Sequence, residues 1–171
     1  YAQQVSGLEE AGVDLYVIET MMTLSDARAA VLAVRAVTDK PIFVTFTCDR
    51  NGRSISGTDI TAALTVLQGM GIDAFGLNCS AGPEQMLPQL RRLREYARIP
   101  LIAKPNAGMP TIVDGRTVYD CPPEQAVAIV TAGDVPLGSE ENILCITGGE
   151  GTGKSNYTAA LVAGAIMERE E

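Results

Sequence analysis

The chain has 171 residues, 46% hydrophobic and 20% charged, the balance of an ordinary folded domain. A formal net charge of −8 without any basic run argues against a nucleic-acid partner, which needs a clustered positive face. No histidine is present, which excludes histidine acid–base catalysis and histidine metal ligands, and no apolar run reaches the roughly 18 residues of a membrane span.

The chain opens on YAQQVSGLEEAG, which reads as helix, without an initiator Met, so the expectation is a fragment. The first strand is DLYVIET (14–20). A helix follows in TLSDARAAVLAVRAV, with Thr23 or Ser25 as its cap. PIFVTFT (41–47) is the second strand and TDITAALTVLQGMG the next helix. AFGLNC (74–79) is the third strand. GPEQMLPQLRRLREYAR is a helix with Pro83 in its first turn, where the missing N–H costs nothing, while Pro88 is expected to kink it or delay its start. IPLIAKP (99–105) and NILCIT (142–147) are the remaining strands.

These runs are nearly continuous rather than alternating, as in parallel strands buried on both faces. EAGVDLYVIET and GMGIDAFGLNC echo one another: a helix-ending Gly, an apolar residue, Asp, then a strand. The class is therefore α/β, built of strand–helix units, either part of a TIM (βα)8 barrel or an open doubly wound sheet. Part of a barrel exposes sheet edges and an apolar interior, so the chain is expected to form a homo-oligomer or to need the missing half-barrel.

In such folds ligands bind at the carboxyl ends of the strands. Here those ends carry Glu19 and Thr20, Thr47 and Cys48, Asn78 and Cys79, then Lys104, Pro105 and Asn106, and last Gly148 and Gly149. The four cysteines, Cys48, Cys79, Cys121 and Cys145, are scattered without a CxxC, and no signal-peptide layout opens the chain. Both observations predict a reduced, cytoplasmic protein.

GVDLYVIET, GLNCSAGP and KPNAGMP stand in that order, joined by PIFVTFTCDRNGRSISG and YDCPPEQAV. Together they resemble the homocysteine S-methyltransferase family, which includes the homocysteine-binding module of cobalamin-dependent methionine synthase. The resemblance covers roughly residues 1–125 and corresponds to the second half of that family's barrel. It implies methyl transfer to the thiol of homocysteine, a small-molecule substrate, in methionine synthesis. It also implies a zinc ion held by three cysteine sulfurs, which takes the substrate thiol as a further ligand and stabilises it as thiolate. By the resemblance, Cys79 matches the first zinc ligand, and Glu19 the acidic residue that meets the substrate's amino end. Asn78 and Asn106 match positions that shape the site. Glu19 and Cys79 are thus the expected catalytic pair.

The family's last strand ends in two glycines followed by two cysteines, the other zinc ligands. Here Gly148 and Gly149 are followed by Glu150 and Gly151, and no adjacent cysteine pair occurs in the chain. Cys79 with Glu150 and Cys48 stands as a substitute set. The methyl donor is not specified by any of these residues.

The same glycines begin a second motif. GGEGTGKS satisfies G-x-x-x-x-G-K-[ST], with Gly148 and Gly153 curling backbone N–H groups around a phosphate, Lys154 reaching the outer phosphates and Ser155 coordinating Mg²⁺. The stretch resembles the opening of RecA-like and DnaB-like P-loop ATPases, so a Mg-nucleotide is a second candidate ligand. VTAGDVPLGSEE is the candidate junction. Two organisations follow: a half barrel over 1–132 joined to a strand, P-loop-like turn and helix over 133–171, or one domain whose last strand completes the sheet. The alternatives to a methyltransferase are a nucleotide-binding module and an inactive scaffold fragment.

Overall fold

A computed structural model of the chain describes residues 1–79, 81–106, 108, 110–119, 121 and 143–145. The elements in chain order are α1 (Ala2–Glu10), β1 (Tyr16–Met21), α2 (Leu24–Arg35), β2 (Ile42–Phe46), α3 (Ile60–Gly69), β3 (Ala74–Asn78), α4 (Pro83–Arg94), β4 (Leu101–Lys104), β5 (Pro110–Val113), β6 (Arg116–Tyr119) and β7 (Ile143–Cys145). Strands β1, β2, β3, β4 and β7 form one five-stranded sheet in that order, every neighbouring pair parallel. This is the α/β strand–helix succession expected from the sequence.

Alternation along the strands divides the sheet into two faces. Ile42, Val44 and Phe46 of β2, Phe75 and Leu77 of β3, and Leu101 and Ala103 of β4 pack with Val31, Leu64, Leu67, Leu90 and Leu93 of the helices. The opposite face carries a second cluster of Phe43, Ala74 and Ile102, flanked by Leu15 and Val17. Glu19, Thr45, Gly76, Asn78 and Lys104 continue this face toward the carboxyl ends. In a closed barrel it is the interior. Gly76 sits here opposite Ile102, and a Cβ at that position would collide with the Ile102 carbonyl oxygen and Cβ. The close approach of β3 to β4 therefore requires glycine.

The internal echo extends into the backbone. α1 and α3 both end in a Schellman motif: Gly12 (φ 77°) donates to Glu9 O and Val13 to Leu8 O, as Gly71 (φ 79°) donates to Gln68 O and Ile72 to Leu67 O. Thr23 caps α2 by accepting from the Asp26 N–H, and Ser25 does not share that role. Asp59 caps α3 by accepting from the Thr61 N–H. Pro83 occupies the first turn of α4 and Pro88 lies inside the helix without delaying its start.

The long connection between β2 and α3 is fastened to α4. Gln89 Nε2 donates to Arg50 O at 2.8 Å, and Arg92 pairs with Asp59 at 3.0 Å. The β5–β6 hairpin, which strand-run reading did not anticipate, turns at Asp114 (φ 50°) and Gly115 (φ 72°). Two successive positive φ values mark the type I′ turn that matches strand twist.

Candidate functional site

The site lies where β1, β3 and β4 end. β1 reaches it through an irregularity. Ile18 pairs with Val44 and Met21 with Phe46, so β1 has one residue more than β2 across this interval. The extra residue falls at Glu19–Thr20, and Thr20 has φ 60°. A β-branched residue in the left-handed region is strained, and a bulge of this kind re-aims a side chain at the end of a strand. Here the Thr20 N–H donates to Thr45 Oγ1 at 3.2 Å. At the equivalent place in the echo, Cys79 closes β3 with φ 56°. Both strand ends are thus turned by the same backbone device.

Asn78 joins these residues. Its side chain is 1% exposed, and its Nδ2 donates to Thr20 Oγ1 at 2.5 Å. The same nitrogen lies 3.4 Å from Glu19 Oε1 and 3.4 Å from Cys79 Sγ. Lys104, 2% exposed at the end of β4, places its Nζ 2.6 Å from Glu19 Oε1. Cys79 is solvent-exposed and its N–H donates to Lys104 O at 3.3 Å. The turn beyond it brings in Asn106, whose N–H donates to Ala81 O at 2.9 Å. Asn106 is half-buried and is tied by this backbone bond to the turn that follows Cys79.

Glu19, Asn78 and Cys79, singled out in the sequence, therefore meet in one hydrogen-bonded group. Two further members, Thr20 and Lys104, were visible as strand ends but not assigned a part. The signal for Lys104 is its position: a charged residue in register with Asn78 on an otherwise apolar strand. Thr20 gives itself away only through its φ.

Cys48 belongs elsewhere. It packs against the helix-side core. Burial, then the neighbouring Asp49, pushes its thiol up to about 11 against the opposing pull of Arg92. Among the described residues no group of three histidine, cysteine, aspartate or glutamate side chains is placed to hold a metal ion. The described donors supply one exposed sulfur, Cys79, and that does not fit a tetrahedral zinc centre on its own. Glu150 and the glycine-rich residues Gly148, Gly153, Lys154 and Ser155 lie outside the described residues.

A parallel sheet covered by helices on one face, with polar groups and a thiol converging at its carboxyl ends, defines the chain as part of a (βα)8 barrel. It belongs to the homocysteine S-methyltransferase family, whose family model matches residues 1–153. Methionine synthase of Mycobacterium tuberculosis is 32% identical over 176 residues, an alignment spanning 100% of this chain and 14% of that protein. Methionine synthase of Mycobacterium leprae is 36% identical over 130 residues, 73% of this chain and 11% of that protein. The crystal structure of the Escherichia coli homocysteine methyltransferase MmuM in its apo form superposes with a TM-score of 0.65 at 22% identity, over 91% of this chain and 51% of that one. Its metallated form gives the same TM-score and covers 47% of that chain. The chain thus spans about half the length of the solved barrels and a small part of the methionine synthases. Among the described residues no helix is long and apolar enough to cross a membrane.

Proposed function

We propose that this chain is the homocysteine-binding portion of a homocysteine methyltransferase, presenting the thiol of homocysteine as methyl acceptor in methionine synthesis. The observation that carries the proposal is the Glu19–Asn78–Cys79 group. It sets an acidic side chain and an exposed thiol on either side of one buried amide. Family membership, the methionine synthase relatives and the methyltransferase barrels of the same fold support it.

In this reading Glu19 receives the amino end of the ligand, Asn78 orients Glu19 and Cys79 together, and Asn106 closes the mouth beside the turn that follows Cys79. Zinc enters through the family resemblance, with Cys79 as one ligand. The described residues do not by themselves complete a zinc site. The chain is read as a single domain: β7 extends the sheet beside β4, and the family match runs through residue 153 into the glycine-rich stretch. On this reading Gly148 and Gly149 belong to the methyltransferase family match rather than to a nucleotide-binding module. A cytoplasmic location accompanies this reading, because Cys79 works in its reduced form and a reducing compartment preserves it.

Calorimetric titration of the chain with L-homocysteine tests the proposal. Binding is expected, with affinity weakened about tenfold or more in Glu19→Gln, since a hydrogen bond to a charged group is lost. Equal binding by the two proteins would contradict it.

A further inference from the structure

Lys104 has no part in the reading above, yet it is one of the few charged side chains buried in the described structure. It is 2% exposed, it ends β4 on the interior face, and its Nζ is 2.6 Å from Glu19 Oε1. Lysines are almost never buried to this degree without a partner. One partner is the carboxylate that, on the proposed function, meets the amino end of the ligand. Beside the pair stands Asn78, 1% exposed, whose Oδ1 is buried and has no hydrogen-bond donor among the described residues. A buried acceptor without a donor is costly, and a ligand N–H group would satisfy it.

The electrostatic consequence follows from the pairing. Glu19 and Lys104 together carry no net charge. A ligand with an ammonium alone gains the attraction of Glu19 but also meets the repulsion of Lys104, little screened at a buried site. A ligand with an ammonium and a carboxylate on one carbon offers each member of the pair its opposite sign. The carboxylate need not touch Nζ, because the interaction is Coulombic and extends over several ångströms. We propose that Lys104 is a specificity-determining residue, which makes this mouth select the zwitterionic end of an α-amino acid over a simple amine. The inference deepens the proposed function and rests on it.

Thioether ligands test it without a thiol to engage a metal. L-Methionine and methylthiopropylamine, the same molecule without its carboxylate, are titrated into the whole chain and its variants. The wild-type chain is expected to prefer L-methionine by about tenfold or more. Lys104→Met narrows or reverses that preference by raising the affinity for the amine, and Lys104→Arg restores it. A purely structural role would lower both affinities together and leave their ratio unchanged. A retained preference in a folded Lys104→Met variant overturns the proposal. So does a wild-type chain that binds the amine as tightly as L-methionine, a result that needs no variant to fold. Homocysteine binding without any such preference removes the part given to Lys104 and leaves the methyl-acceptor site standing. Binding of neither homocysteine nor L-methionine removes both.

Discussion

Cys48 and Cys79 both follow a parallel strand, yet their chemistry diverges. Cys79 is exposed beside a buried amide, whereas Cys48 packs on the helix-side core with its thiol pushed up to about 11, by burial first and then by Asp49. Thiolate is the reactive form, so the raised thiol of Cys48 disfavours it, while accessibility favours Cys79. Brief exposure to iodoacetamide near pH 8, followed by peptide mass mapping, is expected to modify Cys79 well before Cys48 or the buried Cys121. Preferential modification of Cys48 would contradict the environments described. Motifs made Glu19, Asn78 and Cys79 legible in the sequence, since each stands at the end of an apolar run. Thr20 and Lys104 were not legible as site members. The part of Thr20 depends on a left-handed φ in a bulge, and that of Lys104 on a partner 85 residues away.

At the scale of elements, Asp59 shows how one residue fastens two helices through three contacts. It caps α3 through the Thr61 N–H, accepts from the Thr61 hydroxyl, and pairs with Arg92 of α4. Burial alone would raise its pKa, but the two Thr61 hydrogen bonds and the Arg92 guanidinium outweigh it and hold the carboxyl at about 2. A folded-state pKa below the usual value near 3.9 means a stabilising contribution that is present above about pH 4 and is lost as pH falls toward 2. Denaturant melts should therefore show a flatter decline between pH 4 and 2 for Asp59→Asn than for wild type. Asp59→Ala should lose about 1–2 kcal/mol at neutral pH. Identical pH profiles for Asp59→Asn and wild type would remove the part given to this carboxyl. The strands and helices were well marked in the sequence by apolar runs and by the glycines that end α1 and α3. The β5–β6 hairpin lies outside the parallel strand–helix rhythm, and its mark in the sequence is Asp114-Gly115 between two short β-branched runs, a two-residue turn signal.

For the molecule as a whole, the decisive feature is the parallel sheet, which has five strands among the described residues where a closed barrel has eight. Among the described residues β1 is an edge strand, and Leu15, Val17, Phe43, Ala74 and Ile102 lie on the barrel-interior face. An unpaired edge beside an apolar face favours association. Multi-angle light scattering of the chain on its own is expected to report twice the chain mass at micromolar concentration. A monomer across that range would show that the described half needs no second copy to close it. The strand–helix rhythm made the parallel α/β class legible from the sequence, and the family resemblance chose a half barrel over an open doubly wound sheet. The glycine-rich stretch was ambiguous, because two glycines after a strand serve a barrel rim and a phosphate loop equally well. The family match runs through residue 153 and so includes both glycines.

The central claim is that Glu19 holds the amino end of a homocysteine unit whose sulfur then lies at Cys79. The rate at which L-homocystine forms a mixed disulfide with Cys79 measures that geometry without any metal. The thiolate of Cys79 attacks one sulfur and expels one homocysteine. Glu19→Gln is expected to slow this reaction about tenfold, while leaving reaction with the neutral disulfide of 2-mercaptoethanol unchanged. Equal rates with L-homocystine for wild type and Glu19→Gln would contradict the account.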